Sequence, residues 1–184
     1  MRRYLVVIIL CLLAVVSTGC KKARFRAGMK ALMSSTIIVP NGITCVFDGE
    51  SFPIPDSLRN KSLLIIYVDS TECTTCRISH FGDYNDVFSL ANQSGAFEVV
   101  ILLANKSFEK IPLERYLIDI KPDFPVYIDV ENVFLKENPY MCIDKRFHTV
   151  LIDEHRHPIL IGDPTYNKSM MNTYKNIFSK KKSL

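Results

Sequence analysis

The sequence predicts an α/β fold in which a central, mainly parallel sheet carries helices on both faces and ends in an antiparallel hairpin. Continuous apolar runs occur at Leu63–Val68, Phe97–Ala104 and Phe124–Val130. Such runs are typical of strands buried on both faces of a parallel sheet. Stretches with helical periodicity separate them, as expected for alternating β and α elements. Two later runs, His148–Asp153 and Pro158–Asp163, flank the turn sequence EHRH and predict the hairpin.

The elements before and after the first aliphatic strand follow from local signals. Ser35–Pro40 predicts a short strand, and Asn41–Gly49 predicts a turn followed by a second strand. A proline-rich connection, FPIPDSLRNKS, leads to the aliphatic strand. The helix after that strand is expected to begin near Ser70 or Thr71, either of which can cap it, and to end at Gly95.

The C-terminal half supplies a crossover and a closing helix. Ser107–Ile120 predicts a helical or mixed crossover, which Pro112 weakens. Tyr166–Lys182 predicts an amphipathic helix that presents an apolar side to the sheet.

The N-terminus has the layout of an export signal. Arg2 and Arg3 precede the apolar run Leu5–Val16, and small residues follow before Cys20. The run is shorter than the ~20 residues that a membrane span needs. It also resembles a bacterial lipoprotein signal, whose cysteine becomes the lipidated N-terminus, although Ser17 stands where an aliphatic residue is usual. We expect lipidation at Cys20, with ordinary secretion or an uncleaved anchor as the alternatives.

Each of these alternatives places the domain in an extracytoplasmic space where disulfides persist. We expect a lipid-anchored protein of the cell envelope that faces the periplasm or the cell exterior. The predicted organisation is a signal peptide at 1–19, a tether at 20–34, a folded domain at 35–180 and a basic tail at 181–184.

The charge distribution argues against a nucleic-acid partner. Residues 31–179 contain 13 Lys and Arg against 19 Asp and Glu, so the folded part carries about −6 despite the overall +4. A nucleic-acid-binding domain presents a basic surface instead. The basic ends of the chain are expected either near lipid headgroups or simply in solvent.

Two cysteines, Cys73 and Cys76, follow the first aliphatic strand in the sequence YVDSTECTTCRISHF. Catalytic sites of open α/β sheets gather at the carboxyl ends of the strands. A helix N-terminus stabilises a thiolate and makes it a better nucleophile. We therefore expect Cys73 to attack a disulfide and Cys76, one turn deeper and less accessible, to resolve the mixed disulfide.

Other uses of the two cysteines remain open at this point. They can form a passive structural disulfide, or bind zinc together with His80, although no second Cys-x-x-Cys is present to complete the site. Covalent haem attachment is disfavoured because Arg77, rather than histidine, follows the pair. Ser70 and Cys73 match a peroxidase Thr-x-x-Cys site only loosely. We expect no metal and no cofactor.

A strand, Cys-x-x-Cys, a helix and the late TVLID…G hairpin together resemble the thioredoxin-like superfamily. The chain is most similar to uncharacterised thioredoxin-like lipoproteins of Bacteroidetes, of the redoxin or alkyl hydroperoxide reductase/thiol-specific antioxidant type. The resemblance covers residues 35–180 and implies a thioredoxin-like fold. It also implies a thiol-disulfide oxidoreductase whose partners are protein or small-molecule thiols and disulfides.

The chain departs from the thioredoxin pattern around the cysteines. Glu72 replaces the usual tryptophan, and Tyr67 occupies the place of the usual buried acid. The cis-proline that faces the dithiol in the family aligns with His148, so we expect a trans peptide there. His148 is then a candidate proton acceptor or donor beside the dithiol; the alternative is a packed or exposed loop histidine.

Cys45 and Cys142 are candidates for a second disulfide. They can instead be separate buried thiols, or one of them can resolve the first pair in a relay. The function we expect is an anchored thiol-disulfide oxidoreductase. The alternative is a redox-inert thioredoxin-fold binding module that keeps Cys73–Cys76 as a structural disulfide.

Overall fold

The computed structural model describes residues 21–104 and 112–181, with side chains through residue 178. Within these ranges seven strands form one sheet in the order β2-β1-β5-β4-β3-β6-β7. The strands are β1 Ile43–Phe47, β2 Glu50–Pro53, β3 Leu63–Val68, β4 Glu98–Ala104, β5 Val126–Asp129, β6 Thr149–Ile152 and β7 Pro158–Ile161. The helices are α1 at residues 21–33, α2 Thr74–Ser79, α3 Asn85–Ser94, α4 Leu113–Ile120, α5 Phe134–Glu137 and α6 Lys168–Lys181. Short 3-10 helices occur at Asp56–Leu58, Phe81–Tyr84, Pro139–Ile143 and Lys145–His148.

The sheet is parallel in its centre and antiparallel on both sides. Strands β3, β4 and β5 pair in parallel, whereas β1 and β2 extend one side and β6 and β7 extend the other by antiparallel pairing. The predicted α/β class and the C-terminal hairpin are confirmed. The expected predominance of parallel pairing is corrected, because it holds only for the three central strands.

Strand β3 shows why a continuous aliphatic run specifies a central strand. Alternate side chains of a strand point to opposite faces: Leu64, Ile66 and Val68 join one core cluster, and Leu63, Ile65 and Tyr67 join the other. All six residues are buried. Helices α3, α4 and α6 cover the first face. Helices α1 and α5, with the 3-10 segments at residues 139–148, cover the second.

Residues 21–33 form a helix that packs on the domain, whereas the sequence was interpreted as a tether over 20–34. Leu32 is fully buried in the second core cluster. Phe25 stacks on Phe147 with 5.1 Å between ring centroids. A Cβ on Gly28 would stand 2.9 Å from Ile143 Cγ2, so the glycine allows a close approach of the helix. The described structure therefore begins before residue 35.

Two further local predictions differ from the structure. Ser35–Pro40 forms no strand, because its backbone is bonded to loops instead: the Ile37 N–H donates to the Arg156 carbonyl, and the Ile38 N–H donates to Asn138 Oδ1. The helix expected from residue 70 to Gly95 is divided into α2, a 3-10 turn and α3. Gly95 ends α3 in the left-handed conformation, as expected. The first part of the predicted crossover, residues 107–111, lies outside the described ranges.

Candidate active site

The cysteine pair lies where β3 passes into α2, as the sequence predicted. Cys73 and Cys76 form a disulfide, with 5.2 Å between their Cα atoms. Cys73 itself caps α2: its Sγ accepts a hydrogen bond from the Cys76 N–H at 3.4 Å, so neither Ser70 nor Thr71 is the cap. Both cysteines are exposed, and the lower accessibility of Cys76 relative to Cys73 stays a prediction. A thiol or disulfide from a partner can therefore reach the pair directly.

A chain of polar contacts surrounds the residue that follows the pair. Arg77 Nε lies 3.7 Å from Glu72 Oε2. Arg77 Nη2 also donates to the Tyr84 hydroxyl at 3.1 Å, and that hydroxyl donates to Asp163 Oδ2 at 3.0 Å. Glu72, directly before Cys73, is thus paired with Arg77. Arg77 is in turn held through Tyr84 by Asp163, two residues after the end of β7. This arrangement offsets the negative charge that Glu72 brings to the nucleophile.

The loop between β3 and the cysteines is fixed by Asp69 and Lys145. Asp69 Oδ1 accepts the Thr71 N–H at 2.7 Å, and Lys145 Nζ donates to Thr71 Oγ1 at 3.2 Å. Burial alone raises the pKa of Asp69. The hydrogen bonds from Thr71 and the charges of His148 and Lys145 bring that pKa below its usual value. Asp69 is therefore an ionised anchor for the loop rather than a proton donor near neutral pH.

His148 lies at the same end of β3 as the disulfide. Because Ile66 pairs with Thr149 in the β3–β6 ladder, His148 falls beside Tyr67, and their rings meet edge to face at 5.5 Å. His148 is 6% exposed, and its buried Nδ1 has no hydrogen-bond partner among the described atoms. Burial lowers the pKa of His148, although the carboxylates of Asp69 and Glu72 oppose the change. The described residues contain no cis peptide bond, so the expected trans geometry at His148 is confirmed.

Tyr67 fills the position at which the family pattern has a buried acid. It is 4% exposed and stacks on Phe134 with 5.2 Å between centroids. Burial raises its pKa, and the charges of Asp69 and Asp129 raise it further. Tyr67 is consequently neutral near pH 7, and no ionisable acid is buried beneath the disulfide at this position.

Cys45 and Cys142 are separate free thiols, so the second disulfide considered from the sequence is absent from the described structure. Cys45 is buried, and this burial raises the pKa of its thiol to about 11. Cys142 is exposed, and its Sγ donates to the Leu135 carbonyl at 3.5 Å. Partial burial, with the charge of Asp69, raises the pKa of Cys142 as well. The predicted lipidation site, Cys20, lies outside the described residues.

No cluster of three or more His, Cys, Asp and Glu side chains suited to a metal ion occurs in the described ranges. His80, the third ligand in the zinc alternative, is exposed and instead lies 3.5 Å from the Asp83 carboxylate. Both sulfurs of the Cys-x-x-Cys pair are bonded to each other. No helix in the same ranges is sufficiently long and apolar to cross a membrane.

Three solved structures are similar to the chain, and the first of them supports the fold. A thiol:disulfide interchange protein, DsbE, from Chlorobium tepidum matches with TM-score 0.50 and 14% identity, over 79% of this chain and 96% of that one. The thioredoxin domain of a thiol-disulfide oxidoreductase from Bacteroides vulgatus gives TM-score 0.48 and 14% identity, over 78% of this chain and 98% of that one. A hypothetical protein from Sinorhizobium meliloti 1021 gives 0.40 and 17%, over 71% and 72%. No known protein-family profile and no curated protein matches the chain. The chain has a thioredoxin-like fold.

The sequence alone did not reveal the contacts of Arg77 with Tyr84 and Asp163. Tyr84 lies in the core, at 4% exposure. Its hydroxyl, however, bridges two charged side chains, one of which is 79 residues away in the chain. The available signal was a buried tyrosine with a hydroxyl that needs a partner. Identifying that partner required the tertiary structure.

Proposed function

We propose that this chain is a membrane-anchored, extracytoplasmic thiol-disulfide oxidoreductase that works through Cys73 and Cys76. The observation that carries the proposal is an exposed disulfide at the N-terminus of α2, at the carboxyl end of a central strand. A disulfide with only a structural role has no need of this exposure. Its short loop also stabilises the fold less than a long loop would.

In the reducing direction, the Cys73 thiolate attacks one sulfur of a partner disulfide and releases the other partner sulfur as a thiolate. The Cys76 thiolate then attacks Cys73 Sγ in the mixed disulfide. This second step forms the Cys73–Cys76 bond and releases the other partner thiolate. Two electrons pass to the partner, and the oxidising direction is the reverse sequence.

His148 is the proton acceptor or donor in this proposal. Its placement beside Tyr67, near Asp69, brings an imidazole to the sheet edge that holds the disulfide. Its lowered pKa keeps the ring neutral near pH 7, so the imidazole is available as a base at this edge of the sheet. Membrane attachment and an extracytoplasmic location rest on the sequence pattern that ends at Cys20.

The full chain in detergent micelles tests the redox proposal. With Cys76→Ser, the reduced protein should accumulate a mixed disulfide on Cys73 when it is treated with glutathione disulfide, and peptide mapping should locate it there. The matched control, Cys73→Ser, should form a mixed disulfide at Cys76 much more slowly. Equilibration of the unmodified chain with glutathione buffers measures the reduction potential of the pair. We expect a value well above about −300 mV, because structural disulfides typically have potentials below that value. A pair that stays oxidised throughout would instead support the redox-inert binding module.

A further inference from the structure

Helix α1 has one face in the domain and one face in solvent. Phe25, Gly28 and Leu32 repeat at helical spacing and form the inner face, where Leu32 is 1% exposed. Lys22, Arg26 and Lys30 follow one another at intervals of four residues along the opposite side, and all three are exposed. The helix therefore holds a row of cations at a fixed position on the protein.

The outer face of α1 is a concentrated positive surface on an otherwise acidic domain. Residues 21–33 contain five Lys and Arg and no Asp or Glu, whereas residues 31–179 carry about −6. Like charges at i,i+4 repel one another in the free helix. An anionic surface would relieve this repulsion.

The inner face connects this positive surface to the redox edge. Arg146 lies over the Phe25 ring, 3.8 Å from its centroid, and is itself paired with Asp144. The neighbouring Lys145 is bonded to Thr71, two residues before Cys73. These contacts connect α1 to the loop that carries the disulfide.

We propose that the outer face of α1 binds the anionic headgroups of a lipid bilayer and so holds the Cys73–Cys76 edge at a fixed position near the membrane surface. This inference rests on the membrane attachment in the proposed function, and it adds the surface that makes the contact. Cys20, the lipidation site on which the proposed membrane attachment rests, lies immediately before α1 in the sequence. Met29 and Met33 add exposed apolar groups beside the cations, at 36% and 40% exposure. These two features favour lipid over an acidic protein as the occupant.

The full chain reconstituted into vesicles provides the test. The protein has no tryptophan, so Met29→Trp introduces a single indole on the outer face of α1. Vesicles of phosphatidylcholine, with or without phosphatidylglycerol, carry a nitroxide quencher on some headgroups. A second reporter, Ile120→Trp, lies at a 40% exposed site at the end of α4, which covers the opposite face of the sheet.

We expect quenching of the Met29→Trp reporter in anionic vesicles, little in neutral vesicles, and little for the Ile120→Trp reporter in either. Adding Arg26→Gln and Lys30→Gln should weaken the α1–lipid equilibrium by roughly thirtyfold, since each basic residue near an anionic surface contributes about a fivefold factor. The matched control, Lys168→Gln with Lys175→Gln on α6, removes the same charge and should preserve the quenching. Salt at about 0.5 M should abolish it.

Three outcomes would overturn the inference. Equal quenching in neutral and anionic vesicles would show that the N-terminal anchor alone brings α1 to the bilayer. No quenching, with a response of the indole to soluble polyglutamate, would identify an acidic protein as the occupant. Failure of the chain to float with either kind of vesicle would remove membrane attachment itself. The glutathione titration of Cys73–Cys76 is independent of all three and reports separately on the redox proposal.

Discussion

Arg77 pairs with Glu72 across the first turn of α2, with 3.7 Å between Nε and Oε2. Glu72 precedes the Cys-x-x-Cys pair and Arg77 follows it, so the pair lies between a negative and a positive side chain. The thiolate of Cys73 is favoured by the cation and by the helix N-terminus, and it is disfavoured by the carboxylate. The reactivity of Cys73 therefore depends on Arg77, a side chain that the redox partner does not need to contact.

Arg77→Gln should make reduced Cys73 less reactive near neutral pH. Loss of the cation removes a positive charge that opposes the Glu72 carboxylate beside the forming thiolate. The pH midpoint of Cys73 alkylation by iodoacetamide should rise by up to about 0.7 unit, which corresponds to ~1 kcal/mol for a partly exposed pair. Arg115→Gln, which removes an exposed cation paired with Asp119 on α4, is the control and should leave the midpoint in place. An unchanged midpoint in Arg77→Gln would refute the electrostatic role.

Tyr84→Phe should change stability and reactivity together. The substitution keeps the buried ring but removes the hydroxyl that joins Arg77 to Asp163. We expect a loss of about 1–3 kcal/mol in the free energy of unfolding, because two charged groups lose a partner. The alkylation midpoint of Cys73 should move in the same direction as in Arg77→Gln. Urea unfolding and the iodoacetamide profile measure the two effects, and Tyr166→Phe, at an exposed site, should produce neither.

His148 should make the fold less stable as the pH falls below about 6.5. Its pKa is lowered from 6.5 by burial and by Lys145, against the opposing effects of Asp69, Glu72 and Asp144. In the window below 6.5 the unfolded chain binds a proton that the folded chain does not, so the free energy of unfolding decreases with decreasing pH. Urea unfolding between pH 7.5 and 5 should show a shallower pH dependence for His148→Asn than for the unmodified protein. Equal slopes would mean that His148 titrates normally.

Gly28→Leu should separate α1 from the domain. A Cβ at this position already meets Ile143 Cγ2 at 2.9 Å and Phe147 Cε2 at 3.1 Å, so a leucine has no room. We expect a loss of about 1–3 kcal/mol, the usual cost of overpacking. Ala27→Leu, one residue earlier on the exposed side, should cost little. If both variants were as stable as the unmodified chain, residues 21–33 would act as the loose tether that the sequence suggested.

The two free thiols should differ sharply in labelling of the native, oxidised chain. Cys142 is exposed and should react with a maleimide within minutes, whereas Cys45 is buried with a pKa raised to about 11 and should react only after unfolding. Peptide mapping by mass spectrometry distinguishes the sites. Recovery of a peptide that links Cys45 to Cys142 would contradict the structure.

The sequence predicted the centre of the sheet well because the central strands are buried on both faces. It missed β2, which is mostly exposed and lies partly in the stretch interpreted as a proline-rich connection. In Leu63–Val68 every side chain is apolar and every position is buried, so composition alone identifies a central strand. The position of the cysteine pair followed from the end of this run. Chain order also predicted the antiparallel hairpin, since the turn EHRH lies between two short apolar runs.

Helix α1 was missed for a physical reason. Only Phe25, Gly28 and Leu32 face the domain, and the remaining positions are mostly basic or small. A glycine inside a helix usually indicates weak helix propensity. Here Gly28 lets the helix approach Ile143 closely. That contact is made with a segment more than a hundred residues away, so it cannot be read from the local sequence. The Tyr84–Asp163 contact was hidden for the same reason.

Both borders of the sheet are closed by strands of four residues, and each contains a proline. Pro53 ends β2 and Pro158 begins β7. A proline has no amide hydrogen to donate, and an edge strand of four residues offers few backbone groups for pairing with another chain. Two copies brought side by side at high local density should thus resist association through the edges of their sheets.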